Sequence, residues 1–419
     1  MTHAHGTCRS CGCNTLETIL DLGESPLADR FPSEEQLRGP EPFYPLKAAF
    51  CTECSLVQIL ETVPPEVLFC DSYPYYSSFS PKLLEHSREN VLDIIKQKPL
   101  GEYSLVVELA SNDGYLLRNY VEHGIPVLGI DPADGPAAKA REVGVETMNT
   151  FFTSELADSL VADGHAADVI HANNVLAHVA DTNGFVNGIA RLLKDDGVLV
   201  VEAPHVLKLV EHCEFDTMYH EHLCYFSVLS LDNLFRRHGL FLNRLKQLDI
   251  HGGSLRLFVE KHERVDRSVS SLLEHERSLG LDTVAYYARF GHRVEELKDK
   301  LNALLSDLKE QGKRIAAYGA AAKGTTMINY CGIGPDTIDF VVDRNTYKQG
   351  RFMPGQHIPI RGPEELTRQQ PDFVLLLAWN FAREIISQQQ QYLDAGGRFI
   401  VPVPEPKILE SVDQVPISV

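Results

Sequence analysis

Basic residues are scarce in this chain: 39 Lys and Arg stand against 58 Asp and Glu over 419 residues, a formal net charge of −19. An acidic surface repels phosphate backbones, which argues against a general nucleic-acid binder but leaves room for one cationic pocket around a phosphorylated ligand. Long apolar runs are also missing. Stretches such as Phe373 to Trp379 fall far short of the roughly 20 residues that cross a bilayer, so no membrane association is expected. The opening Met1-Thr-His-Ala-His-Gly6 offers no basic stretch followed by an apolar segment, so no secretory leader is read and a cytoplasmic location is expected. In that setting nine cysteines read as thiols or metal ligands, not as a disulfide framework. No internal repeat and no G-x-G-x-x-G is found.

What is present is an ordinary globular composition, 44% hydrophobic and 23% charged, long enough for two or three domains at roughly 150 residues each. Three textures follow one another. Residues 1–80 are loop-rich, with two cysteine pairs and the aromatic run Tyr73-Pro-Tyr75-Tyr-Ser-Ser78. Residues 81–262 alternate helices with short apolar strands, at Ser104–Leu109, Pro126–Asp131, Ala167–His171 and Gly197–Glu202, closed by a late strand over 251–260. Residues 263–419 hold polar linker helices over 266–311. A second α/β block follows, with strands at Arg314–Gly319, Ile338–Asp343, Asp372–Ala378 and Arg398–Pro402. Strands alternating with helices predict mostly parallel sheets covered on both faces, a doubly wound α/β class in both blocks.

Cys8-x-x-Cys11 and Cys51-x-x-Cys54 each aim two sulfurs at one point, and together they complete a four-thiolate cage for a structural zinc. Their separation exceeds the roughly 15–20 residues of a compact ribbon, so the intervening chain must loop out. Cys13 is a substitute ligand placed awkwardly close to Cys11.

The first strand of the central block runs into Glu108-Leu-Ala110-Ser-Asn112-Asp-Gly114 and the second into Gly129-Ile-Asp131. A glycine after the first strand admits a ligand close to the backbone, and an acid ending the second can hold two ribose hydroxyls. No glycine-rich run is there for a pyrophosphate. The acids Glu108, Asp113 and Asp131 suit a nucleoside cofactor with a positive centre and no phosphate, S-adenosylmethionine (SAM), better than NAD. Ala110, Asn112, Gly114 and Asn173, which follows the Ala167–His171 strand, complete the candidate set. The alternative for Glu108 and Asp131 is strand-end acids capping a neighbouring helix.

Tyr219-His220-Glu221-His222 packs ionisable groups side by side between apolar stretches. Histidine can take a carbon acid's proton near neutral pH, a carboxylate beside it raises its basicity, and a tyrosine can donate to a developing enolate oxygen. A general-base constellation, a second metal site and a hydrogen-bonded structural cluster all remain open, although H-E-x-x-H is absent.

Taken in order, CxxC…CxxC, Tyr73-Pro-Tyr-Tyr-Ser-Ser, Glu108-Leu-Ala-Ser-Asn-Asp-Gly114, Asn174-x3-His178, Tyr219-x-Glu-His222 and Tyr318-Gly-Ala-x-x-Lys323 resemble the SAM-dependent sugar C-methyltransferases of deoxysugar pathways. Those enzymes act on nucleotide-linked 4-keto-6-deoxy sugars. The resemblance spans essentially the whole chain. It implies a zinc-binding lobe, a class I methyltransferase domain and a Rossmann-like C-terminal domain. It also implies that His222 is the base supported by Glu221, that Tyr219, Asn174 and His178 surround the reacting carbon and ketone, and that Tyr73 or Tyr75 reaches in from the lobe. The expected substrate carries dTDP, in antibiotic or other deoxysugar biosynthesis, with C-3 taken ahead of C-5, and a monomer is expected.

In the last block, Gly319-Ala-Ala-Ala-Lys323-Gly324 is not a Walker A loop, but a helix start with Lys323 can hold a phosphate. Lys323, Tyr318, His251 and Trp379 (the one tryptophan) are the candidate substrate residues, Trp379 as a stacking face for the base; a vestigial Rossmann scaffold and a purely structural turn at His251 are the alternatives. Two other functions compete: an NAD-dependent sugar-nucleotide oxidoreductase, disfavoured by the missing G-x-G-x-x-G, and an inactive zinc-containing binding protein, disfavoured by the intact Tyr219/Glu221/His222 group.

Overall fold

The structure, a computed structural model, describes residues 3–4, 6–69 and 76–415. Tyr73 and Tyr75 lie outside the described residues. In the N-terminal lobe, β1 (Leu16–Pro26), β2 (Phe43–Cys51) and β3 (Val57–Ile59) form an antiparallel sheet. The run Ala48-Ala-Phe-Cys51 is buried throughout because one side faces the lobe and the other a long helix. Phe50 meets Tyr287 of that helix at a ring-centroid distance of 4.9 Å.

The central domain carries β4 (Val106–Leu109), β5 (Val127–Ile130), β6 (Thr147–Met148), β7 (Ala167–Asn173), β8 (Leu193–Pro204), β9 (Cys224–Tyr225), β10 (Phe241–Leu248) and β11 (Ser254–Glu260). All but β9 join one sheet of order β10-β11-β8-β7-β4-β5-β6, in which β11 alone runs antiparallel to its neighbours. The inner strands are covered on both faces and carry buried apolar stretches such as Val106–Val107 and Val198–Val201. Strand order reverses at β4, so the crevice beyond the carboxyl ends of β4 and β7 is where such a sheet takes a ligand. Residues Lys194–Gly197 belong to β8, absorbed by a register shift between Leu193 and Val198. The helix after β4 is short, Arg118–Val121, because the chain first wraps through positive φ at Ala110 (+57°), Asn112 (+48°) and Gly114 (+77°).

Strand β9 leaves the central sheet and pairs with β3, completing the lobe's four-stranded sheet. Helix α1 (Pro81–Gln97) starts at Ser80, whose hydroxyl accepts the Leu83 N–H, with proline at its first position. Helix α2 (Val284–Glu310) lies against β1, and only a glycine fits at 291: a Cβ there would meet the Ile19 carbonyl at 2.6 Å. The C-terminal block is a second parallel sheet, built from β12 (Ile315–Tyr318), β13 (Val341–Val342), β14 (Ile360–Arg361), β15 (Phe373–Leu376), β16 (Arg398–Val401) and the antiparallel β17 (Lys407–Leu409). Their order is β14-β13-β12-β15-β16-β17. Helix α3 (Ala322–Cys331) follows β12 and packs onto residues 215–217 of the central domain. Among the described residues no helix is long and apolar enough to cross a membrane.

Candidate active site

The sulfurs of Cys8, Cys11, Cys51 and Cys54 lie within 4.8 Å of one another, with Cys8, Cys51 and Cys54 buried. Four thiolates with no open position fit a structural zinc, which these residues would hold. Cys13 sits at the rim, 3.3 Å from the sulfurs of Cys11 and Cys51. The first knuckle also grips the central domain: Arg9 accepts from Asn183 through its carbonyl, and Arg237 donates to the Ser10 hydroxyl.

At the β4 crevice, Asp131 accepts the backbone N–H of Asn112 at 2.8 Å on one oxygen and that of Ala133 at 2.9 Å on the other. Each oxygen keeps a second lone pair, so the acid organises the loop and can still receive ribose hydroxyls. Burial raises its pKa, against those two hydrogen bonds. Glu108 is 1% exposed. Burial, then repulsion from Asp131 and Asp113, holds its pKa well above the usual carboxylate range. The Tyr115 side chain pulls the other way on Glu108, yet among the described residues neither Glu108 oxygen has a well-formed hydrogen bond, nor does Oδ1 of Asp113 or of Asn173. A row of buried, unsatisfied acceptors is costly by itself and fits a cationic, hydroxyl-bearing ligand such as SAM. The loop is held from above: Ser77 N–H donates to Asn112 Oδ1 at 2.9 Å and Ser78 N–H to Asp113 Oδ2 at 3.2 Å. The described end of the 73–78 run thus rests on the cofactor loop.

Beyond β7, Asn174 adopts φ +53° and donates its N–H to the Glu202 carbonyl, turning the chain into the short helix that ends at His178. Burial pushes the His178 pKa down to about 4, so its ring is neutral at pH 7. Leu223 N–H donates to the Ala177 carbonyl at 2.7 Å, which brings the 219–222 segment alongside. The His178 and His222 rings then meet edge-on at 4.8 Å, and Tyr219 lies tilted over His222 at 4.1 Å. His222 Nδ1 is 2.8 Å from the Thr217 carbonyl and Nε2 is 3.0 Å from the Tyr219 hydroxyl. A carbonyl can only accept, so Nδ1 carries the proton and, in the neutral ring, Nε2 carries the lone pair.

The cluster does not work as the sequence suggested in one respect. Glu221 does not orient His222; the backbone carbonyl of Thr217 does. Glu221 is buried and faces Asp29 and Lys348, and burial with Asp29's repulsion raises its pKa above the carboxylate range. His220 is turned into the lobe, where Nε2 meets the Pro45 carbonyl at 3.1 Å and the ring packs edge-on to Tyr44. Tyr225 escaped the candidate list. It is 6% exposed, its ring is 6.5 Å from His222, and its hydroxyl finds no geometrically satisfied partner among the described residues.

Of the C-terminal candidates, Lys323 and Trp379 come together: the ammonium lies 4.3 Å over the indole ring. Trp379 is 3% exposed and donates its indole N–H to Asp216 at 2.7 Å, so in this arrangement it is an inter-domain contact and not an open stacking face. Tyr318 is 4% exposed at the end of β12, where Arg344 and Asp343 act on its hydroxyl, and it does not join the histidine cluster. The His251 side chain lies outside the described residues; its turn packs through Gly252 on the Glu214 carboxylate.

A seven-stranded sheet of this order, with an acidic crevice at its switch point, defines a class I SAM-dependent methyltransferase. The chain belongs to the C-methyltransferase family. Residues 8–69 match the family model described as "Putative zinc binding domain", 80–243 "Methyltransferase domain" and 249–404 "C-methyltransferase C-terminal domain". The C-methyltransferase NovU of Streptomyces niveus is 36% identical over 408 residues, covering 96% of this chain and 97% of NovU. The ubiquinone biosynthesis O-methyltransferase of Bartonella tribocorum is 25% identical over 29% of this chain and 52% of its own length. Among solved structures, the magnesium protoporphyrin IX methyltransferase of Synechocystis PCC 6803 with bound SAH is 15% identical. It covers 43% of this chain and 83% of its own, with a TM-score of 0.35.

Proposed function

We propose that this enzyme C-methylates a nucleotide-linked 4-keto-6-deoxy sugar, with dTDP as the nucleotide and C-3 ahead of C-5 as the carbon. The pathway would be one of deoxysugar or antibiotic biosynthesis, and the enzyme would act in the cytoplasm as a monomer. The observation that carries the reading is His222 Nε2, held as a lone-pair nitrogen by the Thr217 carbonyl and paired with the Tyr219 hydroxyl. A carbon next to a ketone releases its proton readily only if a base and an oxyanion donor stand together.

Asp131 would hold the ribose hydroxyls of SAM, with Ala110, Asn112 and Gly114 shaping the loop beneath it. The oxygens of Glu108, Asp113 and Asn173 would take its cationic groups. When bound, SAM supplies an electrophilic methyl group. His222 Nε2 removes the proton beside the ketone, and the Tyr219 hydroxyl turns from Nε2 to the ketone oxygen as negative charge develops there. A preorganised donor of this kind lowers a barrier by about 3–4 kcal/mol. Neutral His178 and Asn174 wall the same space, and Glu221, protonated at neutral pH, can donate to a sugar oxygen. Lys323 would face the phosphates.

The test is incubation with SAM and dTDP-4-keto-6-deoxyglucose, read by mass spectrometry and NMR. A sugar nucleotide heavier by one methylene supports the reading, and its NMR assigns C-3 or C-5. Neither product nor uptake of solvent deuterium beside the ketone, across the 2-deoxy and 3-amino congeners as well, would overturn it.

A further inference from the structure

The carbonyl that fixes the base belongs to a turn the central domain does not hold alone. Residues Phe215–Thr217 form a single 3-10 turn, and the C-terminal domain grips both of its flanks. On one side Trp379 donates its indole N–H to Asp216 at 2.7 Å, and Asp216 is fully buried with its other oxygen unpartnered among the described residues. On the other side the Thr326 hydroxyl of α3 reaches the Met218 carbonyl at 3.4 Å. Tyr330, also on α3, packs edge-on against buried Phe215 at 5.3 Å. Between those fixed points stands Thr217, whose carbonyl takes the His222 Nδ1–H at 2.8 Å. An indole N–H to a desolvated carboxylate is a strong, directional bond, and removing its donor leaves a buried acceptor without its hydrogen bond.

We propose that the C-terminal domain sets the catalytic base: Trp379, through Asp216, and Thr326, through Met218, are positioning residues that aim the Thr217 carbonyl at His222 and so fix its tautomer. The inference rests on the reading of His222 as the base, and it gives the third domain a task in the chemical step besides any hold on the nucleotide. The orphan acid Asp216 is then explained as one half of an inter-domain latch whose other half is the chain's one tryptophan. Displacing a base by a fraction of an ångström costs rate without touching cofactor affinity, because the cofactor crevice is built at the ends of β4, β5 and β7, away from the 215–217 turn.

Trp379→Phe keeps an aromatic ring, though a smaller one, and removes the N–H. It should lower kcat about 10- to 100-fold while leaving KM for SAM unchanged. Asp216→Asn, which retains an acceptor for the indole N–H, should lose less. Thr326→Val, nearly isosteric, should move kcat in the same direction by a smaller factor. Histidine-selective 15N NMR gives the readout that a merely structural role would not move. The resonance assigned to His222, by its loss in His222→Asn, should report Nδ1–H in the wild type and a mixture of tautomers in Trp379→Phe. Wild-type kcat in both Trp379→Phe and Thr326→Val, or an unchanged His222 tautomer in Trp379→Phe, would overturn the proposal. If His222→Asn instead turns over normally, the base assignment fails, and the NMR comparison still decides whether the latch governs the ring.

Discussion

The Tyr219 hydroxyl lies 3.0 Å from Nε2 of His222, and the two rings are tilted over one another with centroids 4.1 Å apart. A neutral imidazole has one lone pair, so while Tyr219 donates to Nε2 no other proton can be taken there. In the proposed reaction the substrate draws the hydroxyl away, its ketone oxygen accepting as it becomes an enolate. Tyr219→Phe therefore frees the base but removes the oxyanion donor. We expect kcat to fall about 100-fold with SAM affinity unchanged. A variant faster than wild type would mean that the hydroxyl only blocks the site.

Removing the proposed base should cost more. His222→Asn keeps a polar side chain but no group able to accept a proton. Turnover should drop by roughly a hundred- to ten-thousand-fold, the usual contribution of a positioned general base. Calorimetric titration with SAM should give a near-wild-type affinity, since the Asp131 loop is held by bonds to Asn112, Asp113 and Ala133. Near-normal turnover would end the assignment.

Asp131 has the opposite profile. Its two oxygens tie Asn112 and Ala133 together and would also take the ribose. Losing charge-assisted bonds there should weaken SAM binding about 10- to 100-fold in Asp131→Asn, read by calorimetry. Saturating SAM should recover most of kcat. Unchanged affinity would move the cofactor elsewhere.

Zinc should be stoichiometric in purified protein, and its removal should be felt beyond the lobe. The knuckle residues Arg9 and Ser10 contact Asn183 and Arg237, so a collapsed cage releases contacts on the central domain as well. Chelation or Cys51→Ser should lower Tm by several degrees and reduce activity together. Metal-free protein with full stability would refute a structural site.

Asp216 gives a pH signature. Burial pushes its pKa up to about 7, against the pull of Lys323 and the Trp379 hydrogen bond, whereas in the unfolded chain it titrates near 3.8. Between those values the folded state holds a proton that the unfolded state has lost. This residue's contribution to stability therefore falls as pH rises through that window. Asparagine does not titrate. The Tm of Asp216→Asn relative to wild type should thus improve from pH 5 to pH 8. A constant difference would show that the acid is not raised.

Much of this site was readable because its chemistry sits in contiguous motifs. The cysteine pairs, the strand-end acids Glu108 and Asp131, and the 219–222 group each announce themselves by residue type and spacing. What the sequence hid is direction. Glu221 and His222 are neighbours in the chain, yet in a tight turn successive side chains diverge, one toward Asp29 and Lys348 and the other toward Thr217. The group that orients His222 is a main-chain carbonyl, and carbonyls leave no trace in residue type. Trp379 looked like a stacking surface because aromatic character is legible and burial against Asp216, 163 positions away, is not.

Strand β9 has a consequence for how the chain is made. The lobe's sheet ends in β3, and the strand that covers its open edge emerges from the ribosome about 165 residues later. Until then the lobe presents unpaired backbone to whatever is near, with zinc its main support. The lobe is therefore not a detachable module: cutting the chain after residue 80 would leave a fragment with a sticky edge, and a central domain whose Cys224–Tyr225 segment, just after His222, has lost its β3 partner.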